Sequence, residues 1–381
     1  MSTLKRTPLF DVHQRLGARL VEFGGWEMPV QYSGIVDEHL CVRRDAGLFD
    51  ISHMGEVRVS GPAAAAFLNS VLTNDICKLT VGLGQYSLIC NERGGVVDDL
   101  YVFRLDDSAF LLVINASRIS HDLEWLNRQW AAFARRSEVE IEDLSAALAA
   151  VAAQGPRVVE FIGACLTGPA TAGQPVEEPA GLKKNQIARF AFAGQPVWVS
   201  RTGYTGEDGF EVITPAETIG RLWDRLMAAG RASRLQPAGL GARDTLRTEA
   251  CLPLYGHELD ELTTPLEAGL GAFVALEKGD FTGRDRLINQ KREGVAKKCV
   301  AFKMTEKSAP PRPQYALLSA EPEPQRIGVV TSGTLSPCLH TGIGLGYVPA
   351  ALAKPGTPVR VEIRGRSYAA ELAAKPIYRR A

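Results

Sequence analysis

The hydrophobic positions of this chain repeat with two different periods, which distinguish its predicted helices from its predicted strands. The segments with helical spacing are 34–47, 63–72, 117–133, 154–166, 215–226 and 238–250. The segments with the two-residue alternation of strands are 56–60, 86–90, 96–104, 110–114, 197–201 and 209–213. Strands and helices occur in groups rather than in regular alternation, so the pattern predicts the α+β class.

The C-terminal part of the chain has a different pattern, in which short strands are separated by proline and glycine. From Lys297 onward the predicted strands are 299–304, 327–332, 342–348, 359–363 and 367–372. This spacing predicts a compact all-β domain, with the Pro- and Glu-rich stretch 307–325 as a surface loop or long hairpin.

Two of the predicted helices carry more specific signals. Residues 214–217, Thr-Pro-Ala-Glu, have the pattern of a capping box ahead of an apolar stripe that ends at Leu226. In the next helix, Arg243 and Arg247 are four residues apart and therefore share one face. Spacing alone favours the interpretation that this face is solvated.

Two adjacent carboxylates, Asp98 and Asp99, lie in an otherwise apolar strand directly after a Gly-Gly turn. Neighbouring strand residues point to opposite faces, so we expect Asp99 to share a face with Val97, and Asp98 to share one with a possible partner, Arg104. An unpaired buried charge is costly, so a covered acid needs a hydrogen-bond partner or must border a ligand cavity. Acidic pairs after such turns are also common as solvated hairpin ends, and spacing alone favours that reading.

Composition excludes some functions without identifying one. The 381 residues include 43 Lys and Arg and 43 Asp and Glu, so no global field favours nucleic acid or an anionic membrane surface. The seven cysteines form no C-x-x-C pair, which indicates reduced thiols and no structural zinc site. No apolar run is long enough to span a membrane, and the first residues lack a signal-peptide pattern, so we expect a cytoplasmic protein.

Several familiar catalytic motifs do not occur. They are G-x-G-x-x-G after a strand, G-x-x-x-x-G-K-[ST], G-x-S-x-G and H-E-x-x-H, so nicotinamide, nucleoside triphosphate and serine-hydrolase chemistry lose their main support. An enzyme or binder whose cavity is lined by carboxylates, tyrosines and arginines remains open, and such a cavity would suit a flat, polar heterocycle.

Six segments of the chain together resemble the aminomethyltransferase, or T-protein, family of the glycine cleavage system. They are 7–10, 23–29, 50–56, 94–100, 200–211 and 237–247, and the resemblance extends from about residue 6 to Tyr378. The resemblance implies that the chain takes the aminomethyl group on the lipoyl arm of H-protein and passes its one-carbon unit to tetrahydrofolate. Ammonia and 5,10-methylenetetrahydrofolate are the expected products.

The resemblance also implies a set of site residues. Asp99 is expected to be catalytic, as a carboxylate that stabilises positive charge on the transferred carbon and nitrogen, and Asp98 is expected to be structural. The expected folate-binding residues are Tyr86, Asn115, Tyr204, Glu211, Arg243 and Tyr378. No metal is expected. Many relatives have Trp where this chain has Ala272, so a stacking contact is either lost or supplied by Phe273.

The implied fold has three domains arranged like a cloverleaf around a central channel that holds the folate. The expected domains are 1–53 with 142–236, 54–141 with 237–295, and a C-terminal barrel-like β domain at 296–381. The expected partners are lipoylated H-protein and tetrahydrofolate, with no nucleic acid and no membrane.

Two other functions remain as alternatives on the same fold. A folate-dependent demethylase would take a methyl group from a sulfonium or an amine, but its relatives usually lose parts of the motifs intact here at 203–209 and 98–99. A non-catalytic folate-binding protein of the iron-sulfur assembly type would carry Lys-Gly-Cys-Tyr-x-Gly-Gln, which does not occur in this sequence.

Overall fold

The computed structural model describes residues 4–380, which contain seven α-helices and twenty β-strands. The helices are α1 (Phe10–Arg15), α2 (Ile35–Arg44), α3 (Ala64–Val71), α4 (Ile119–Ala132), α5 (Ile219–Ala229), α6 (Leu240–Glu249) and α7 (Arg284–Glu293). The strands are β1 (Arg19–Phe23), β2 (Trp26–Gln31), β3 (Ala46–Asp50), β4 (Gly55–Ser60), β5 (Gly84–Cys90), β6 (Val96–Arg104), β7 (Ala109–Ile114), β8 (Glu140–Asp143), β9 (Leu148–Gln154), β10 (Thr167–Gly173), β11 (Ile187–Phe192), β12 (Gln195–Ser200), β13 (Gly209–Pro215), β14 (Leu235–Pro237), β15 (Lys297–Met304), β16 (Ala316–Ser319), β17 (Arg326–Leu335), β18 (Gly342–Pro349), β19 (Pro358–Ile363) and β20 (Arg366–Ala373).

Most of these strands form two open sheets and one closed barrel. The seven-stranded sheet has the order β10-β11-β12-β13-β9-β3-β14, and the five-stranded sheet has the order β5-β6-β7-β4-β8. The six C-terminal strands close into an antiparallel barrel in the order β15-β18-β17-β16-β19-β20, whereas β1 and β2 form a separate ribbon. The predicted α+β class and the predicted C-terminal barrel are confirmed.

The two open sheets take their strands from interleaved parts of the chain. The seven-stranded sheet uses 46–50 and then strands between 148 and 237, whereas the five-stranded sheet uses strands between 55 and 143. The division into 1–53 with 142–236, 54–141 with 237–295, and 296–381 stays a prediction. No helix within residues 4–380 has both the length and the apolar character needed to span a membrane.

Helices cover the outer faces of both sheets, and their inner faces meet. The predicted stripe of α5, from Ile219 to Leu226, is buried against the seven-stranded sheet, while α3 and α4 cover the five-stranded sheet. The inner faces of the two sheets meet in a third cluster that includes Phe49, Phe103 and Leu246 of α6. Polar residues at this junction are therefore held between the two sheets and α6.

Two local predictions are wrong, and tertiary structure explains both. A single helix does not form over 154–166, because β9 continues to Gln154 and Gly155 takes a φ of +131°. Two short 3-10 turns follow, at 158–160 and 162–165. The capping box also does not form, because Thr214 belongs to β13 and its hydroxyl pairs with that of Thr218 rather than with a helix N–H.

Candidate active site

A β-bulge in β6 sets the directions of the two adjacent acids. Val96 and Asp98 pair with consecutive residues of β5, so Val97 is an extra residue that interrupts the alternation. Val97 packs in the same apolar cluster as Leu100. The prediction that Val97 shares the face of Asp99 is therefore wrong, because the bulge shifts the alternation by one residue.

The Asp99 carboxylate is held by two neutral donors from neighbouring strands. The Tyr86 hydroxyl donates to Oδ2 at 2.8 Å, and Asn115 Nδ2 donates to Oδ1 at 3.0 Å. Tyr86 lies on β5, and Asn115 directly follows β7 on the other side of β6. The register of three paired strands therefore fixes the orientation of the carboxylate.

Burial and the adjacent charge of Asp98 raise the pKa of Asp99 to about 7, although the hydrogen bonds from Tyr86 and Asn115 oppose the shift. Burial, together with the charge of Asp99, also raises the pKa of Tyr86 well above its ordinary value. Tyr86 thus stays neutral and remains a donor. Asp99 changes its charge close to neutral pH, in the range where an acid or base is most effective.

Asp98 has a different environment from its neighbour. It is fully buried, and its oxygens accept hydrogen bonds from the Asn115 backbone N–H at 3.2 Å and from Asn115 Nδ2 at 2.8 Å. Arg104 does not pair with it, because Arg104 is six positions further along the strand, a distance of about 20 Å. Arg104 instead donates to the carbonyl oxygen of Leu79 and to those of the 106–107 turn.

A second group of predicted residues comes from the seven-stranded sheet and α6. The Arg243 guanidinium lies 4.7 Å from the centre of the Tyr204 ring, and the Tyr204 hydroxyl donates to the Pro253 carbonyl oxygen. Glu211 on β13 accepts a hydrogen bond from the Thr202 hydroxyl. Burial lowers the pKa of Arg243, and the charge of Glu211 opposes that shift. Within residues 4–380, buried Nη1 of Arg243 has no hydrogen-bond partner, and a ligand atom can accept from it.

Arg247, one turn after Arg243, is buried rather than solvated. Its side chain is 2 % exposed and donates to Glu258 at 2.9 Å and to the Ser332 hydroxyl at 2.7 Å. The solvated-face interpretation of the two arginines is therefore wrong, because α6 packs between the sheets and the barrel. These contacts attach α6 and Glu258 to β17 of the barrel.

Six of the seven predicted site residues line one cavity of about 290 Å³. They are Tyr86, Asp99, Asn115, Tyr204, Glu211 and Arg243. Most of the surrounding surface is apolar, which is typical of small-molecule sites with a few precisely placed polar groups. The cavity combines two carboxylates, one guanidinium and several aromatic rings.

Other residues of this cavity were not predicted from the sequence. They are Phe23, His53, Met54, Tyr101, Tyr255 and His257, among others. His53 is 2 % exposed, and burial, assisted by the charge of Arg243, lowers its pKa to about 4 although Asp50 opposes this, so its imidazole is neutral. His53 and Met54 lie in the 50–56 motif, which indicated the family but gave no role to either side chain. Tyr255 and His257 lie outside regular secondary structure and have no periodicity that could reveal them.

Tyr378 and Phe273 do not line this cavity. The Tyr378 ring lies 4.6 Å from the Arg43 guanidinium, in a separate surface concavity that Arg380 also lines. Its predicted contact with folate stays a prediction that this geometry does not support. Phe273 packs edge-on against Tyr86 with ring centres 4.8 Å apart, so it supports the cavity wall from behind.

One cluster has side chains of the kind that bind metals. Ligand atoms of His39, Glu249 and Cys338 lie within 4.8 Å of one another. The Glu249 carboxylate, however, already accepts hydrogen bonds from Arg43 at 2.8 and 3.1 Å and from the Ser336 hydroxyl. A guanidinium on the same oxygen repels a cation. We interpret this cluster as an ion-pair network that joins α2, α6 and the barrel.

A comparison with solved structures gives the class of protein. The crystal structure of glycine cleavage system aminomethyltransferase T from Bartonella henselae is similar, with a TM-score of 0.88 and 35% sequence identity. The match covers 99% of this chain and 98% of that chain. The fold and the cavity therefore define an enzyme of the aminomethyltransferase class.

Comparisons with sequence families agree along nearly the whole chain. The family models described as GCVT N-terminal domain and Glycine cleavage T-protein C-terminal barrel domain match residues 9–278 and 297–379. A protein named aminomethyltransferase from Symbiobacterium thermophilum is 47% identical over 99% of this chain and 98% of its own length. Another, from Moorella thermoacetica, is 46% identical over 100% and 99%. The chain belongs to the glycine cleavage T-protein family.

Proposed function

We propose that the cavity around Asp99 is the active site in which tetrahydrofolate receives the one-carbon unit. The chain transfers this unit from S-aminomethyl-dihydrolipoyl H-protein to tetrahydrofolate, releasing ammonia and forming 5,10-methylenetetrahydrofolate. The carbon–sulfur and carbon–nitrogen bonds of the aminomethyl group break, and the carbon bonds to two folate nitrogens. The two protons lost by those nitrogens balance the protons gained by the thiolate and amine leaving groups.

The observation that carries this proposal is the environment of Asp99. Its partly buried carboxylate is held by Tyr86 and Asn115, which are neutral donors rather than cations. Its negative charge is thus oriented but not neutralised, and it stabilises the positive charge that develops as the thiol separates from the carbon. The nucleophile is a folate nitrogen, so the reaction requires no serine or cysteine of the protein.

The second group of cavity residues supports binding of a flat heterocycle. Glu211 accepts hydrogen bonds, and in our proposal it receives those of the pterin amino group and ring N–H. Arg243 has an unpaired N–H, which we expect to donate to a carbonyl or carboxylate oxygen of the folate. The Tyr204 ring is fixed between Arg243 and the Pro253 carbonyl oxygen, so it presents a rigid aromatic edge or face to the ring system.

The partners and the location follow from the same proposal. Lipoylated H-protein delivers the aminomethyl group, and the chain works in the cytoplasm, in keeping with the bacterial relatives at 46% and 47% identity. Interleaved domains at 1–53 with 142–236 and 54–141 with 237–295 would place the cavity between them.

A turnover assay tests the proposal directly. The full chain is mixed with glycine, glycine decarboxylase, lipoylated H-protein and tetrahydrofolate, and methylenetetrahydrofolate is measured. We expect product only when lipoylated H-protein and tetrahydrofolate are both present. Background turnover by a chain that still binds tetrahydrofolate would contradict the proposal and would favour a folate-binding protein or a folate-dependent demethylase.

A further inference from the structure

Asp99 belongs to a group of three neighbouring carboxyl groups rather than to a pair. Asp122 on α4 lies next to Asp98, and both are 0 % exposed. Asn115 Nδ2 connects Asp98 to Asp99, with distances of 2.8 and 3.0 Å to the two carboxylates. Hydrogen bonds and close contacts therefore run from the cavity to α4.

The donors available to Asp98 and Asp122 differ. Asp98 accepts two hydrogen bonds from Asn115, one from the backbone and one from the side chain. Within residues 4–380, neither carboxyl oxygen of Asp122 has a donor at hydrogen-bond distance. The nearest nitrogen atoms of basic side chains are Arg118 Nε at 3.9 Å and His121 Nδ1 at 3.6 Å. Donors stabilise the ionised form of an acid, so this geometry favours charge on Asp98 and a proton on Asp122.

Electrostatics agree with this distribution. Burial, followed by the charge of Asp98, raises the pKa of Asp122 to about 11, although Arg118 opposes the shift. Two carboxylates in contact cannot both be ionised at low cost, and a shared proton removes the repulsion. A protonated Asp122 also gains a partner for its otherwise unpaired oxygen, because its O–H donates to Asp98.

We propose that Asp122 is a positioning residue for Asp99: it keeps one proton, donates it in a hydrogen bond to Asp98, and thereby holds Asp98 and Asn115 in place. The charged and titratable groups around it are Asp98 and Asp99 of β6, Arg118 and His121 at the start of α4, and Tyr255 and Glu261 near them. The effect on catalysis rests on the proposed function, whereas the proton on Asp122 is measurable without turnover.

Infrared spectroscopy of the substrate-free full chain tests for the proton. Near pH 9, Asp99 is ionised and Glu56, whose pKa burial raises to about 8, is largely ionised as well. We expect the carbonyl band of a protonated carboxylic acid in the wild type, its loss in Asp122→Asn, and its retention in the control Glu56→Gln. Absence of the band from the wild type, or its persistence in Asp122→Asn, would overturn the proposal whatever reaction the chain catalyses.

Kinetics then test the positioning role. Asp122→Ala removes the donor, and we expect kcat to fall about ten- to a hundredfold, the range for a lost hydrogen bond to a charged group. Tetrahydrofolate affinity is expected to change far less. Asp122→Asn, a neutral donor of the same shape, is expected to restore most of the lost kcat. If the Asn variant is as slow as the Ala variant while both are folded by circular dichroism, or if neither is slow, the positioning role is wrong.

Discussion

Asp98 and Asp99 show at the residue scale how environment separates two identical side chains. Both acids lie on one strand, but Asp98 is fully buried and accepts two hydrogen bonds from Asn115, whereas Asp99 is only partly buried and lines the cavity. Tyr86 holds Asp99 without neutralising it. The chemistry of the pair therefore depends on the bulge at Val97, which decides the faces, and on the donors that each face provides.

The hydrogen bond from Tyr86 has a measurable effect on pH dependence. It lowers the pKa of Asp99, so Tyr86→Phe is expected to raise that pKa. In the proposed mechanism the active form is the ionised carboxylate, so activity is expected to rise as the pH increases through the pKa. We therefore expect the acidic limb of kcat/KM to move to higher pH by about one unit, given the strength of a hydrogen bond to a charged group.

Tyr101→Phe is the matched control for this prediction. Tyr101 lines the same cavity and pairs across the sheet with Tyr86, but Asp99 does not accept a bond from its hydroxyl. The acidic limb of kcat/KM for Tyr101→Phe is expected to stay at the wild-type pH. A limb that moves to lower pH in Tyr86→Phe, or that moves equally in both variants, would show that Asp99 does not control the profile.

At this scale, the family resemblance indicated six residues that line one cavity, and their roles stay predictions. Asp122 was missed, although a signal existed. It is three residues after Ile119 and four before Leu126, so an acid lies within the apolar stripe of α4. His53 had no comparable signal, because a single histidine after a strand is ordinary, and only the fold shows that it is buried beside Arg243.

The hairpin of β5 and β6 is the element on which the site depends most. Its turn packs against the segment that contains Glu261, and a Cβ added at Gly95 would lie 1.9 Å from the Glu261 carbonyl oxygen. We expect Gly95→Ala to lower the free energy of unfolding by more than about 2 kcal/mol, because backbone must move on both sides of the contact. Urea unfolding followed by circular dichroism measures this change.

Gly220 provides a control for the same substitution. It lies in α5, where a Cβ would meet nothing within 4 Å. Alanine in an open helical position is expected to stabilise the protein by about 0.5–1 kcal/mol. Equal and small effects of the two substitutions would contradict the close packing of the turn against Glu261.

Element prediction succeeded where local pattern and tertiary structure agree. The stripe of α5 is buried as its spacing requires, and the hairpin forms about the predicted turn. The helix over 154–166 failed, because its first residue, Gln154, extends β9, whose partners β3 and β13 are distant in sequence. The bulge at Val97 has no signature in the alternation of Val96 and Val97, because both residues are apolar and suit either face.

At the scale of the whole molecule, buried polar networks attach the barrel to the two sheets. Glu249 of α6 binds Arg43 and His39 of α2 and also accepts from Ser336, which follows β17. Arg247 reaches Ser332 of the barrel through a second network. The barrel thereby helps to fix α6, which carries Arg243 into the cavity.

The Glu249 network predicts a specific dependence of stability on pH. Burial raises the pKa of Glu249, but hydrogen bonds and charges from His39, Ser336 and Arg43 prevail and lower it to about 2. Because this pKa is lowered, the ionised Glu249 side chain contributes fully to the stability of the folded state above the ordinary pKa of glutamate. This contribution is lost as the pH falls toward 2. The free energy of unfolding of Glu249→Gln is expected to be about 3 kcal/mol lower than that of the wild type at pH 7. This difference is expected to shrink below about pH 4.

Chemical denaturation of the wild type and of Glu249→Gln at several pH values measures this difference in the free energy of unfolding. Glu138→Gln is the control, because Glu138 pairs with Arg135 on the surface and such pairs contribute little. A difference for Glu249→Gln that grows as the pH falls would contradict the ion-pair interpretation.

The arrangement of the whole molecule was the least accessible to local sequence patterns. Strand spacing indicated an α+β part and a β part, but β3 pairs with β9 across about a hundred intervening residues, and no local pattern records such a pairing. The resemblance supplied the three-part fold, which the structure of the Bartonella henselae protein supports. Periodicity alone would have left the two halves as separate units.

The most direct measurement is a comparison of Asp99→Asn with the wild type in the complete glycine cleavage assay, together with tetrahydrofolate binding by calorimetry. The amide keeps the shape of the carboxylate and loses its charge. We expect most of the turnover to be lost, while the Kd for tetrahydrofolate changes by no more than about tenfold. Turnover at the wild-type rate in Asp99→Asn would show that this carboxylate does not stabilise the reaction.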